Sequence, residues 1–469
     1  MGILVIASFI FYSWETPSLV TLLVISILIN GFTSFRIAQV INKKSRLFWA
    51  LAGVTLNLTL LSLFKYGALI THLFIDNFNS VNTEEGLIAL FVHLPLPIGI
   101  SFYTFEGISL VVDVFRKQDK EAYKKEDYYV DDSLTKHILN TSFFIAFFPH
   151  LIAGPILKAN NFYPQIGSKL FKDIPWNIVF RSLVVGYFLK MVVADNLKEY
   201  TYWISFPFFQ GLGTVTNVVL LFGYSMQIFA DFAGYSLIAI GLAAALGYTL
   251  PDNFNFPYIS RSIAEFWRRW HISLSTWLRD YLYFTLGGNR KGKFRTYLNL
   301  MIVMTLGGLW HGAAWSYAVW GIFHGIGLVL ERFLGLAKDL KVPGEQSNSL
   351  FKQFLLDAIR VILVFSFVST GWLFFKLPRF EEALSFLVTL VHNWNKKPDI
   401  RFVFPAIIFS LPVVIYHIPY FPTVQKLTKN FKMSNSKLIN FFQDAALATM
   451  LAFILLNSGS SNAFIYFQF

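Results

Sequence analysis

Apolar stretches about as long as a membrane is thick recur along the whole sequence and constrain its fold more than any other feature. A helix needs about 20 apolar residues to cross the hydrocarbon core of a bilayer. The clearest stretches occupy residues 19–35, 47–66, 138–152, 178–193, 215–246, 298–330, 359–375, 402–418 and 441–456. With shorter and re-entrant segments included, the pattern predicts roughly ten to twelve transmembrane helices. Stretches 215–246 and 298–330 are long enough for a helical hairpin or for one span with a kinked extension.

The composition excludes a set of soluble domains, which the length of 469 residues would allow. Hydrophobic residues make up 55% of the chain and charged residues only 14%, a balance typical of chains built for lipid. Spanning β-strands would show alternating segments of about ten residues, whereas continuous apolar stretches indicate helices. The sequence therefore predicts an all-α, polytopic integral membrane protein that forms a single domain over residues 1–469.

The formal net charge of +12 does not indicate a nucleic-acid partner, because the basic residues lie in short breaks between apolar stretches. Three of these breaks contain basic residues and no acidic ones, at residues 36–46, 290–295 and 426–437. By the positive-inside rule, these three loops are expected to face the cytoplasm.

A dense polar and aromatic passage, EFWRRWHISLSTWLRDYLY, occupies residues 265–283. At about 100° per residue, one continuous helix would place most of the aromatic residues and His271 on one face, with Arg268 and Arg269 nearer the other. We expect such a helix to lie at an interface or to dip into the protein interior. An aromatic anchor helix with snorkelling arginines is the alternative.

His311 lies in a second polar passage, TLGGLWHGAAW at residues 305–315, inside the apolar stretch 298–330. The neighbouring glycines remove side-chain bulk, so that another helix or a ligand can approach the backbone closely. A neutral imidazole in this position can accept a proton near pH 7, as a general base must. A histidine that serves only helix packing is the alternative. His324 lies about 220° further around a continuous helix and is expected to point away from His311.

Gln227 and Asp231 lie four residues apart on one face of the stretch 215–246. This spacing predicts a polar interior wall, and both proton-relay chemistry and simple interhelical hydrogen bonding are consistent with it. The chain contains no cysteine, which excludes thiolate metal ligands and a thioester held on this chain. Because the chain also lacks an HExxH motif and a close carboxylate cluster, we expect no metal site.

Five passages, in this order along the chain, resemble the membrane-bound O-acyltransferase (MBOAT) family, in its bacterial branch that acetylates alginate, peptidoglycan and related exported polymers. They are LPIGISFYTF at residues 96–105, FPHLIAGPI at 148–156, DFAGYS at 231–236, FWRRWHISLS at 266–275 and GLWHG at 308–312. The resemblance covers nearly the whole chain and includes FIYFQF at 464–469. It implies a ring of helices with re-entrant or interfacial helices around a central cavity, and a motif core at residues 220–330.

The resemblance also implies an O-acetyltransferase that uses acetyl-CoA as its acyl donor and holds no cofactor tightly. His311 matches the catalytic histidine of the family, and His271 matches the position beside it. In the implied mechanism, His311 takes a proton from an acceptor hydroxyl, whose oxygen then attacks the thioester carbonyl. His271, Trp310 or Asn299 is expected to hydrogen-bond the carbonyl oxygen as negative charge develops there.

Partners and localisation follow from the same resemblance. Arg268, Arg269 and Arg290 are expected to hold the CoA phosphates at the cytoplasmic mouth. Since no cysteine is present, the acyl group must pass directly to an acceptor or to a hydroxyl of this chain or of a partner. A periplasmic or membrane-anchored acetyltransferase is the expected partner, an exported polysaccharide the final acceptor, and the bacterial inner membrane the location.

Three other functions are alternatives. D-alanyl transfer to teichoic acid is the nearest, and would take its acyl group from a carrier-protein thioester. A transporter or polymer-export channel would use the polar wall at Gln227 and Asp231 as its pathway, but transporters commonly show repeated halves, and the sequence contains no recognisable repeat. A scaffold for a polysaccharide synthase, with purely structural histidines, is the third.

Overall fold

The structure, a computed structural model, describes residues 1–14, 17–75, 97, 99–118, 130–336, 350–425 and 437–460. All regular secondary structure in this part of the chain is helical, so the all-α prediction is confirmed. Several features singled out from the sequence lie outside the described residues: Leu96 and Ile98 of the first family passage, Lys426, Lys429 and Lys432 of the third basic loop, and the C-terminal passage 464–469.

Six helices in the described residues are long and apolar enough to cross a membrane. They are Pro17–Gln39, Lys43–Gly67, Trp176–Ile204, Thr214–Ala245, Phe351–Lys376 and Ile400–Tyr420. In hydrocarbon no water is present to bond backbone amides and carbonyls, and a helix satisfies these groups within itself. The chain is accordingly a multi-pass membrane protein, while the total of ten to twelve spans stays a prediction.

The chain divides into two compact units, of which the first comprises Met1–Val179 and Ala239–Pro251. Its helices among the described residues are α1 (Gly2–Ser13), α2 (Val20–Gln39), α3 (Lys43–Ile75), α4 (Ile100–Gln118), α5 (Leu134–Ala146), α6 (Phe148–Leu151) and α7 (Ala159–Phe162). Helices α2, α3 and α4 pack against one another. A group of buried rings, formed by Phe143, Phe147, Phe162 and Tyr248, has centroids 5.1–5.6 Å apart and supplies a large apolar contact.

The predicted span over residues 138–152 is broken in the structure. Helix α5 ends at Ala146, and Pro149 lies in the first turn of α6. Proline has no backbone N–H and its ring clashes with a preceding helical turn, so the first helix stops before it. The break brings His150 Nε2 to 2.9 Å from the buried Glu106 carboxylate of α4. The prediction of one continuous span here was therefore wrong.

The second unit comprises Phe180–Ile238 and Asp252–Phe469. The helices that contribute to it among the described residues are α8 (Trp176–Tyr187), α9 (Asp195–Thr201), α10 (Thr214–Ala245), α11 (Ile263–Arg269), α12 (Ile272–Trp277), α13 (Gly292–His311), α14 (Trp315–Phe333), α15 (Leu350–Lys376), α16 (Phe380–His392), α17 (Ile400–His417) and α18 (Lys437–Leu456). Two π-helical segments, Phe188–Ala194 and Leu278–Tyr283, continue α8 and α12. Such segments are rare and frequently occur at functional sites.

The two long apolar stretches resolve differently. Stretch 215–246 forms the single 32-residue helix α10, whereas stretch 298–330 forms a hairpin of α13 and α14. Two glycines permit the hairpin: a Cβ atom at Gly308 would overlap the carbonyl oxygen of Tyr317, and one at Gly321 would overlap that of Met304. Backbone atoms cannot move aside as a flexible side chain can, so the two helices approach this closely only without side chains.

We expect Gly321→Val to separate the hairpin, because the new side chain meets the backbone of α13. The substitution should destabilise the protein by about 3 kcal/mol, the upper end of typical overpacking costs. This predicts a lower apparent Tm and less monodisperse protein after extraction in detergent. Ile322→Val is the control, since it introduces the same residue at the next position, where the side chain is exposed. Equal behaviour of the two variants would contradict the proposed role of Gly321.

Candidate active site

His311 is the last residue of α13, and its side chain is buried with only 5% of its surface exposed. The chain leaves the helix at Gly312, which has an extended conformation. Three aromatic rings approach the imidazole edge to face, with centroids 5.1 Å away for Trp310 and 5.2 Å away for Trp320 and Phe375. Such contacts favour one orientation of the ring. His311 is therefore a positioned imidazole in the interior of the second unit.

His271 lies at a helix break and not on the continuous helix predicted for residues 265–283. Helix α11 ends just before it, α12 begins just after it, and His271 itself has a left-handed backbone with φ of 41°. The N–H of Ile272 donates to the carbonyl oxygen of Asn253 at 2.9 Å. Because this distant segment supplies hydrogen bonds that a helix would otherwise make internally, the chain can turn here. The prediction of one shared helical face was wrong.

Asn253 holds the break in place through its side chain. Its Oδ1 accepts a hydrogen bond from Ser273 Oγ at 2.6 Å and lies 3.4 Å from His271 Nδ1. Its Nδ2 donates to Ser236 Oγ at 3.0 Å. The His271 ring is thereby held with its centroid 6.3 Å from that of His311. Sequence reasoning missed Asn253, since a single asparagine in a turn region carries no periodic or motif signal.

A small cavity lies beside His311, with a volume of about 110 Å³. It is lined by Trp267, Leu274, Ser275, Leu278, Val303, Met304, Gly307, His311 and Trp320. Most of these side chains are apolar, so water in the cavity has few partners. The cavity gives His311 a neighbouring space for a small reactant.

The other residues expected near the carbonyl lie in two different places. Trp310 joins the histidine pair, because its ring centroid is 6.0 Å from that of His271, but it is not among the residues that line the cavity. Asn299 is further along α13, where its Nδ2 donates to the carbonyl oxygen of Gly288 at 2.8 Å. Asn299 therefore supports the turn that precedes α13 and does not line the cavity.

The predicted polar wall on α10 is engaged in hydrogen bonds and ion pairs. Gln227 Oε1 accepts from Thr201 Oγ1 at 2.5 Å. Asp231 Oδ1 lies 3.1 Å from Lys190 Nζ, and the same ammonium pairs with Asp195. Lys190 was not singled out from the sequence, although a lysine inside the apolar stretch 178–193 is a signal, because a charge in such a stretch needs a partner.

The three arginines expected to bind CoA phosphates differ in their surroundings. Arg268 and Arg290 are exposed. Arg269 forms a 2.9 Å ion pair with the buried Glu265. Burial raises the pKa of the Glu265 carboxyl, but the backbone hydrogen bond from Arg261 and the charges of Arg269 and Arg261 outweigh burial and lower it overall. Glu265 is thus ionised at neutral pH. Because Arg269 already pairs with this carboxylate, it is less available to bind a phosphate.

His324 and His311 lie on different helices of the hairpin. The expected rotation of about 220° between them assumed one continuous helix and therefore does not apply. The indole ring of Trp320 contacts both imidazoles, with its centroid 5.2 Å from that of His311 and 4.9 Å from that of His324. His324 is fully buried among aromatic rings. Trp320, which the sequence did not single out, is thus the residue that connects the two histidines.

The sequence model of the membrane-bound O-acyltransferase family matches residues 6–369. This chain belongs to that family. Residues 6–369 include His271, His311 and every residue that lines the cavity, so the region that matches the family contains the candidate site. The chain is an O-acyltransferase, and its substrate is an acyl donor.

Three proteins that this chain resembles along its sequence have related activities in their names. The probable alginate O-acetylase AlgI of Pseudomonas putida is 37% identical over 387 residues, which cover 81% of this chain and 72% of that protein. The peptidoglycan O-acetyltransferase of Helicobacter pylori is 29% identical over 99% of this chain and 91% of its own length. The teichoic acid D-alanyltransferase of Bacillus subtilis is 28% identical over 59% of this chain and 68% of its own length.

We expect Lys190→Met to destabilise the protein, because the substitution removes the ammonium that pairs with the buried carboxylates of Asp195 and Asp231. Removing one partner of a buried ion pair typically costs about 3–5 kcal/mol. The measurement is the apparent Tm of the purified protein in detergent. Arg401→Met is the control: its ion pair with Asp399 is 2.7 Å long but lies at the surface, so its loss should leave Tm unchanged. A Tm for Lys190→Met equal to that of the control would disprove the buried role.

Proposed function

We propose that this chain transfers an acetyl group from cytoplasmic acetyl-CoA toward an exported polysaccharide. The observation that carries the proposal is the position of His311, a buried imidazole on the wall of a small apolar cavity. An ionisable side chain in such surroundings is costly and is typically functional. The membership of the family and the O-acetyltransferase relatives support the type of reaction.

In the proposed reaction His311 acts as the general base. It takes the proton of an acceptor hydroxyl, and the oxygen attacks the carbonyl carbon of the thioester. The new C–O bond forms, the C–S bond breaks, and the proton passes from His311 to the departing CoA sulfur. His271 lies close enough to His311 to influence its orientation, with ring centroids 6.3 Å apart.

The cavity size supports a short acyl group. Its volume is about 110 Å³, smaller than an apolar cavity of about 150 Å³ that binds benzene. A space of this size favours an acetyl group over a fatty acyl chain. Gly307 contributes to the opening, because a Cβ atom there would lie 3.1 Å from Leu278 Cδ1.

The chemistry of the cavity favours acetyl over D-alanyl transfer. A D-alanyl group carries an ammonium ion, and burying an unpaired charge in apolar surroundings is costly. None of the nine described residues that line the cavity has a carboxylate to pair with it. The D-alanyltransferase relative also covers only 59% of this chain.

The absence of cysteine from the chain bears on the acceptor. An acyl-thiol relay on this chain is impossible, and in the proposed reaction the acetyl group passes directly to a hydroxyl. We propose that this hydroxyl belongs to a periplasmic or membrane-anchored partner, which completes the delivery to the polysaccharide. We further propose that the chain itself lies in the bacterial inner membrane. The relatives named for alginate and peptidoglycan support a polymer of this kind as the final acceptor.

We expect His311→Ala to reduce acetyl transfer at least about 100-fold, the loss typical of a missing general base. The assay supplies purified full-length chain with labelled acetyl-CoA and measures the release of free CoA thiol and the labelling of an acceptor. His392→Ala is the matched control, since His392 is exposed at the end of α16. If His311→Ala retained the wild-type rate while folded normally, His311 would have no part in the mechanism.

We expect the transfer rate to fall as the acyl donor lengthens from acetyl-CoA to butyryl-CoA. We also expect Gly307→Val to restrict further the length of acyl group that the protein accepts. The added side chain occupies cavity space next to Leu278, so acetyl transfer should drop about tenfold, which corresponds to about 1.4 kcal/mol in the activation free energy. Leu278→Ala enlarges the same space and should raise the ratio of butyryl to acetyl turnover. A donor preference unchanged in both variants would exclude this cavity as the acyl site.

A further inference from the structure

Trp320 lines the cavity and lies edge-on to the base that the proposed function requires. Its ring centroid is 5.2 Å from that of His311, and the two rings are perpendicular at 89°. Only 1% of its surface is exposed. The position places the Trp320 indole within reach of any group that occupies the cavity beside His311.

The indole N–H of Trp320 makes no hydrogen bond within the part of the chain that the structure describes, and the same holds for Trp267, the other indole that lines the cavity. An unsatisfied buried donor costs about 1–3 kcal/mol. Native proteins rarely leave such donors without an acceptor, and a functional site is one of the recognised explanations. Two such donors in the wall of one small cavity indicate an acceptor that arrives with the substrate.

The remaining polar groups of the cavity wall are less suited to bind that acceptor. Ser275 Oγ already donates to the carbonyl oxygen of Trp270 at 3.2 Å. His311 serves as the base in the proposed reaction. The two indole N–H groups therefore remain as the donors to an oxygen atom in the cavity.

We propose that the Trp320 indole N–H donates a hydrogen bond to the carbonyl oxygen of the acyl group, with Trp267 as a second donor. The inference rests on the proposed function. When the acceptor oxygen attacks the carbonyl carbon, the C=O electron pair moves onto this oxygen, and the hydrogen bond strengthens as the negative charge develops. The indole keeps its proton throughout, and the charge returns to form C=O when the CoA sulfur leaves.

The surroundings of Trp320 hold its ring in place before substrate binds. The ring stacks on Trp372 with centroids 5.8 Å apart at 21°, and it meets His324 at 4.9 Å and Phe375 at 5.0 Å edge to face. A donor fixed in this way needs no reorganisation during the reaction, which is the condition under which such donors contribute most.

The test removes the N–H of Trp320 in the full-length chain. Trp320→Phe should lower kcat for acetyl transfer about 100- to 1000-fold, the effect of deleting one such donor, while KM for acetyl-CoA changes little. Replacing Trp320 with benzothienylalanine, which keeps the shape and has sulfur in place of N–H, should give a similar loss of kcat without the smaller ring of phenylalanine. Trp267→Phe should give a smaller decrease.

Trp270→Phe is the matched control, because Trp270 is as buried as Trp320 but does not line the cavity. It should retain kcat. The proposal is overturned if the benzothienylalanine protein keeps the wild-type kcat while His311→Ala is inactive, or if Trp270→Phe loses as much activity as Trp320→Phe at equal Tm. Full activity of His311→Ala would instead refute the proposed function itself, so the two failures are distinguishable.

Discussion

Every backbone N–H and C=O group that leaves a helix inside a membrane protein must find another partner, and this requirement controls where the candidate site can form. The break at His271 is possible because Asn253 supplies a carbonyl oxygen to Ile272 and a side-chain oxygen to Ser273. Helix α13 ends at His311, and α14 packs closely against it because Gly308 of α13 and Gly321 of α14 have no side chains. Both histidines therefore lie at helix ends that other parts of the same unit cover.

The chemistry of the site follows from these two helix ends. Aromatic rings fill most of the space around His311, and they leave a cavity of about 110 Å³ beside it. Electrostatic interactions are stronger in such surroundings than in water, which favours the roles proposed for the imidazole and for the fixed indole N–H groups. The same apolar wall disfavours a charged acyl group.

The buried charges of the second unit have a different role. Asp231 pairs with Lys190, and Gln227 accepts a hydrogen bond from Thr201. These contacts favour interhelical bonding over proton relay for the polar wall on α10. A buried ion pair adds little net stability over apolar residues, but its geometry is strict, which suits a contact that keeps helices in register.

The sequence by itself determined the all-α membrane fold and the family, and it singled out His311 as the candidate base, because long apolar stretches, ordered motifs and a histidine within such a stretch are local features. Only the tertiary structure decided the helix breaks near Phe147 and His271, the partner of Lys190, the place of Asn299 and the contact of Trp320 with both His311 and His324. These features depend on hydrogen bonds and backbone contacts between residues distant along the chain, such as Asn253 with Ile272 and Met304 with Gly321. Helical periodicity describes one segment at a time and contains no information about such contacts.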